Sequence, residues 1–123
     1  MEQLTKIHKK LVKETELSFF RYLYHEIDWG NRIVGIRGPR GVGKTTLMLQ
    51  HIKNDLNIND VLYINADDIY FSEHRILDLA ERLVQRGIQY LFIDEIHKYK
   101  DWSKELKLIY DYYSELKLSL IHI

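Results

Sequence analysis

Leu4, Ile7 and Leu11 recur at helical spacing with lysines between them, which predicts an amphipathic helix over Leu4–Glu14. The run "LSFFRYLYHEI" (17–27) predicts a second helix, ended by "DWGN" with its turn residues Gly30 and Asn31. Next comes "RIVGIR", short, β-branched and apolar, the pattern of a buried strand. Helical spacing returns with Leu47, Met48, Ile52 and Leu56 and stops at "NIND". "VLYINA" predicts a second strand. Ile76, Leu77, Leu79, Ala80, Leu83 and Val84 line a helix that Gly87 closes from the C′ position. "IQYLFIDE" is continuously apolar up to its acidic end, as a strand covered on both faces should be. Asp101 is placed to cap a last helix, in which Leu106, Ile109, Tyr110 and Tyr113 share a face, and "LKLSLIHI" predicts a fourth strand.

Strands alternating with helices predict an α/β fold with a mainly parallel sheet. Such sheets bind ligands at the carboxyl ends of their strands. The chemistry is therefore expected just after Arg37, Ala66 and Ile93.

The first of these places carries "GPRGVGKT", a match to G-x-x-x-x-G-K-[ST] through Gly38, Gly43, Lys44 and Thr45, set between a strand and a helix. Glycines let consecutive backbone N–H groups converge on one anion, and the following helix adds the positive end of its dipole. The expected phosphate cradle comprises Gly38, Pro39, Arg40, Gly41, Val42, Gly43, Lys44, Thr45 and Thr46. Lys44 supplies a point charge for the β- and γ-phosphates, and the Thr45 hydroxyl can ligate Mg²⁺. An ordinary glycine turn would not explain Lys44–Thr45.

At the end of the third strand stand Asp94 and Glu95. An aspartate there can hold Mg²⁺, and the neighbouring glutamate can orient and deprotonate a water for in-line attack on a γ-phosphate. Taken alone the pair is an ordinary polar strand end. No N-K-x-D base-reading motif of GTPases occurs, so ATP is the expected nucleotide. Asp67 and Asp68 read as turn or capping residues, Arg40 as a phosphate contact or a solvent-facing side chain, and His97 as a loop histidine near the acidic pair. "HEIDW" at His25 lacks the second histidine of a zinc helix.

Composition narrows the partners. The chain has 123 residues, with 18 basic and 18 acidic side chains that cancel, so no net field recruits nucleic acid or an anionic membrane. "HKKLVK" is a local basic stretch that reads as a solvated helix face. No apolar run approaches the roughly 18 residues of a membrane span. The absence of cysteine removes disulfides and thiolate chemistry, and a cytoplasmic protein is expected.

"NRIVGIRGPRGVGKTTLML", "YINADDIYFS" and "YLFIDEIHKYKDWSKELKLIYD" resemble a family of prokaryotic AAA-type ATP-binding proteins, often likened to archaeal ATPases. The resemblance runs from Leu4 to Lys117. It implies a three-layer P-loop NTPase fold with strand order 5-1-4-3-2, Mg²⁺ and ATP binding, and ATP hydrolysis. Family members continue the fourth strand into a Thr, Gly and Ser-rich stretch bearing a γ-phosphate sensor, then a fifth strand and a C-terminal domain. Here "ELKLSLIHI" ends without them, so the chain reads as a truncated member, order 1-4-3-2. Its expected organisation is an N-terminal helical segment (1–31) followed by a truncated ATP-binding domain (32–123).

The resulting expectation is an ATPase domain with Glu95 and Lys44 as catalytic residues and Thr45 and Asp94 at the metal. The alternatives are a nucleotide-binding module or degenerate remnant without turnover, and an interaction protein that keeps the motifs as relics. With no fifth strand, "RIVGIR" becomes an unpaired sheet edge, and self-association is expected from it.

Overall fold

The computed structural model describes residues 1–17, 27–37 and 43–122. All but the two end residues of the helix expected over 17–27 lie outside these, as do His25, Gly38, Pro39, Arg40, Gly41 and Val42. Among the described residues, strands β1 (Ile33–Arg37), β2 (Val61–Asn65), β3 (Tyr90–Asp94) and β4 (Lys117–His122) form one sheet in the order β1-β4-β3-β2, with every pair parallel. The last strand in sequence is thus central, as the resemblance implied. The helices are α1 (Glu2–Glu14), α2 (Lys44–Asp55), α3 (Ile76–Gln85) and α4 (Trp102–Tyr112).

Alternation along the strands builds two cores. Leu62, Ile64, Leu91, Ile93, Leu118 and Leu120 pack against α3 and α4. Val34, Ile36, Tyr63, Phe92 and Ile121 point the other way, onto Met48, Leu49 and Ile52 of α2. Helices on both faces make a three-layer α/β/α arrangement. Burying a leucine, isoleucine or valine stabilises by roughly 1.5–3 kcal/mol, and β2 and β3 supply such residues to both faces at once. The alternation "KLSLIH" in β4 is not the continuous apolar run usual in a central parallel strand. Its polar Ser119 is nevertheless buried, between Val34 and Phe92 in the register, where a small side chain leaves room for the fully buried phenylalanine ring.

The buried reading of "RIVGIR" is half right. Val34 and Ile36 are buried, but Ile33, Gly35 and Arg37 are exposed on the second face of β1, an edge strand among the described residues that meets α4 through a groove beside Ile33. The opposite edge, β2, is covered. Helix α1 straddles it, with Leu4 in one core and Val12 in the other. Between them His8 is 1% exposed; its Nδ1 accepts the Tyr63 N–H at 3.1 Å, and its Nε2 lies 3.3 Å from the Ile58 carbonyl. Tyr63 N–H faces outward from the edge strand, so α1 satisfies a donor that the sheet cannot. In the basic stretch "HKKLVK", Lys9, Lys10 and Lys13 are exposed while His8 and Val12 are buried, a solvated face with a packed stripe.

Helix ends follow their residues. Gly87 has φ 78°, and the Gly87 and Ile88 amides return to the Val84 and Leu83 carbonyls, a Schellman closure of α3. Asp101 does stand at the N-cap of α4, yet with φ 59° and no side-chain capping bond, so its expected capping role is corrected. The shared face of α4 is also narrower than expected: Leu106 and Ile109 are buried, whereas Tyr110 is 41% exposed. Arg32 holds that helix in place, with its guanidinium over the Tyr110 ring and donating to the Tyr110 and Tyr113 carbonyls.

Candidate functional site

Helix α2 begins at Lys44, after β1 ends at Arg37. Gly43 is its N-cap with φ 80°, a left-handed conformation that glycine adopts without a Cβ penalty. The N-terminus has no side-chain cap and no acidic residue in its first turn. In any α-helix the first N–H groups lack intrahelical acceptors and carry the positive end of the dipole. In α2 these are the amides around Lys44, Thr45 and Thr46. Lys44 is 7% exposed, whereas Thr45 and Thr46 face solvent.

Strand β3 delivers Asp94 to the same place. Its apolar run keeps it between β2 and β4, paired on both sides as far as Ile93, and Asp94 itself pairs with Asn65 of β2. Asp94 is 4% exposed, and its Oδ2 accepts hydrogen bonds from Thr45 Oγ1 at 2.5 Å and from Tyr63 Oη at 2.6 Å. A carboxylate at this depth is costly unless donors surround it. Two short bonds from hydroxyls provide that compensation.

Glu95 follows in a left-handed conformation, φ 56° and ψ 38°, at the start of the 3-10 turn Ile96–Lys98. A non-glycine residue there carries strain of order 1–3 kcal/mol, a type of strain that clusters at functional sites. The Lys98 amide donates to the Glu95 carbonyl at 2.9 Å and helps hold the bend.

The structure therefore brings together Lys44, Thr45, Asp94 and the adjoining Glu95. Asp68 takes the capping role expected of it, accepting the Tyr70 N–H at 2.9 Å, and Asp67 is exposed with its amide on Asn65 Oδ1. His97 sits half-buried in the turn after Glu95. A cleft of about 520 Å³ opens between the β2–α3 connection and that turn; Asp67, Arg75, Lys98 and Tyr99 help line it, but Lys44, Thr45, Asp94 and Glu95 do not.

Sequence reasoning missed Tyr63, which it read only as part of a strand. Burial first, then the charge of Asp94 and the hydrogen bond to it, push the Tyr63 phenol far above its ordinary value of 10.0, with the Thr45 hydroxyl opposing. The phenol therefore stays protonated and donating at every working pH. The signal available was a lone hydroxyl in an otherwise aliphatic strand beside the one that ends in Asp94.

A parallel sheet in the order 1-4-3-2, with a glycine-led helix N-terminus meeting a strand-end aspartate, defines a P-loop NTPase-like fold. The model of the AAA domain family matches residues 30–121, and the chain belongs to that family. This makes it an ATPase-like nucleotide-binding domain. No curated protein matches the chain. No helix among the described residues is long and apolar enough to cross a membrane.

Proposed function

We propose that this domain binds ATP together with Mg²⁺ through Gly38–Thr46 and hydrolyses it with Glu95 as general base. The observation that carries this reading is the 2.5 Å contact between Thr45 Oγ1 and Asp94 Oδ2 at the N-terminus of α2, which Gly43 begins. A hydroxyl that donates its hydrogen keeps its lone pairs, so Thr45 can face a cation while still bonded to Asp94. The pair offers hard oxygen donors, which suit Mg²⁺ held by few protein ligands and completed by phosphate oxygens. Such an ion, when bound, neutralises charge on the transferring phosphoryl group.

The remaining roles belong to the chain itself. Lys44 sets a buried positive charge beside the helix N-terminus, where β- and γ-phosphate oxygens are to be held. Asp94 anchors the metal side, and Glu95 orients and deprotonates the attacking water. In this reading Gly38–Thr45 is a Walker A segment and Tyr90–Glu95 a Walker B segment. β1, an edge strand among the described residues, adds a tendency to self-associate.

Calorimetric titration of Mg-ATP tests the site. Hydrogen bonds to charged groups are worth about 1.5–3 kcal/mol, so Lys44→Ala should weaken binding at least about tenfold, and His97→Ala should leave it near wild type. Glu95→Gln should bind normally and lose most hydrolysis, since general bases contribute roughly 10²–10⁴-fold. Equal affinities for wild type and Lys44→Ala would refute the site.

A further inference from the structure

We infer that Tyr63 is a positioning residue for the metal-side carboxylate, its hydroxyl fixing the orientation of Asp94; this rests on the Mg²⁺-ATP reading above. Asp94 Oδ2 receives two hydroxyls from two different elements, Thr45 from α2 and Tyr63 from β2. With both bonds made, the carboxylate cannot turn about its last torsion without breaking them. Only one of the donors is a fixed point. Thr45 is exposed, in the first turn of α2, and is the residue that has to adjust to an arriving cation.

Tyr63 is anchored at both ends. Its side chain is packed among Val34, Ile36, Met48 and Ile52, and the residue is 4% exposed. Its backbone pairs with Phe92 of β3 in the register and donates on the outer side to His8 Nδ1 at 3.1 Å. The rigid ring then reaches along β3 from the Phe92 level to Asp94 and ends 2.6 Å from Oδ2. For packing alone a phenylalanine would serve in this apolar layer. A buried hydroxyl is tolerated when it has a partner, and here that partner is Asp94. Hydrogen-bond partners of metal ligands fix ligand orientation, and their loss typically lowers metal affinity 10–100-fold.

The test is the Mg²⁺ dependence of nucleotide binding, read with a fluorescent N-methylanthraniloyl-ATP on the full chain. Tyr63→Phe keeps the packed ring and should raise the MgCl₂ concentration for half-maximal Mg²⁺-dependent binding about tenfold. Its nucleotide affinity in excess EDTA should match wild type, which a general loss of structure would not allow. Tyr99→Phe is the control. It removes another tyrosine hydroxyl bonded to a carboxylate, that of Glu105 at 2.9 Å, and should leave the Mg²⁺ midpoint unchanged. If Tyr63→Phe fails to melt cooperatively, Tyr63→Leu gives the same readout. A raised midpoint in Asp94→Asn with a wild-type midpoint in Tyr63→Phe overturns the positioning role alone. Wild-type midpoints in both variants overturn the metal site and this inference together.

Discussion

The Glu105 carboxylate on α4 accepts the backbone N–H of Leu77, in the first turn of α3, at 2.7 Å. Tyr99 joins the same knot: its hydroxyl donates to Glu105 and accepts the Ile76 N–H at 3.2 Å. Helix α3 has Arg75 at its N-cap and no side-chain cap of its own, so its leading amides are satisfied from the neighbouring helix and the preceding turn. The contrast with α2 is physical. One helix N-terminus is closed by an internal carboxylate, and the other has no side-chain capping bond among the described residues and sets its Thr45 hydroxyl on Asp94. Glu105→Ala should therefore cost about 1–2 kcal/mol, the range of a lost cap or a stranded donor. Urea denaturation measures it, and an unchanged midpoint would show that the amides find other acceptors.

Strain at Glu95 predicts an opposition between stability and function. Its φ of 56° disfavours any residue with a Cβ, by roughly 1–2 kcal/mol. Glu95→Gly should consequently be more stable than Glu95→Ala by about 1 kcal/mol in paired urea titrations. Neither should hydrolyse ATP at the wild-type rate. If the alanine variant is the more stable, the bend relaxes once the glutamate is gone and is not imposed by its surroundings.

His8 gives stability a pH dependence. Burial lowers its pKa below 6.5 in the folded chain, aided by Lys9 and opposed by the Ile58 carbonyl. Geometry agrees: with Tyr63 N–H donating to Nδ1, the ring must be neutral there and carry its hydrogen on Nε2. Between the folded value and 6.5 the unfolded state binds the extra proton, so this contribution is complete above 6.5 and fades as the pH falls below it. His51, also lowered chiefly by burial with Asp55 opposing, acts in the same direction. The melting temperature should drop between about pH 7.5 and about pH 5.5, and His8→Asn should shrink the drop without abolishing it. An identical drop in the variant would place the whole effect elsewhere.

The β1 edge predicts association. Ile33 is 40% exposed and borders a groove of about 400 Å³ shared with Trp102, Leu106 and Tyr110 of α4. An apolar strand edge beside an apolar groove is a template for another strand. Ile33→Lys should lower the association seen by sedimentation velocity, with far-UV circular dichroism unchanged. A wild-type chain that sediments as a monomer at all concentrations would argue against the edge as a contact.

The meeting of Gly43–Thr45 with Asp94 in the candidate site was legible from residue order, whereas Gly38–Val42 lie outside the described residues. "GPRGVGKT" and "YLFIDE" are local patterns whose chemistry depends on spacing along the chain, and spacing survives in a bare sequence. The helices over 4–14 and 76–84 were legible for the same reason, because periodicity records which side of an element faces a core. Gly87 could be placed as a C′ residue because a left-handed closure needs no partner beyond its own helix.

Relationships across the sheet were decided by tertiary structure. How deeply each face of β1 is buried depends on the helices packed on it and on its place at the sheet edge, and so Ile33 and Val34 have different fates within one apolar run. Ser119 is buried because of what flanks it in register, not because of its own polarity. The capping of α3 by Glu105 joins residues 28 positions apart, and the Tyr63–Asp94 bond joins residues 31 apart. A hydrogen bond depends on ångströms and angles, and nothing in local composition specifies which distant donor the packing of two cores will bring within reach of a carboxylate.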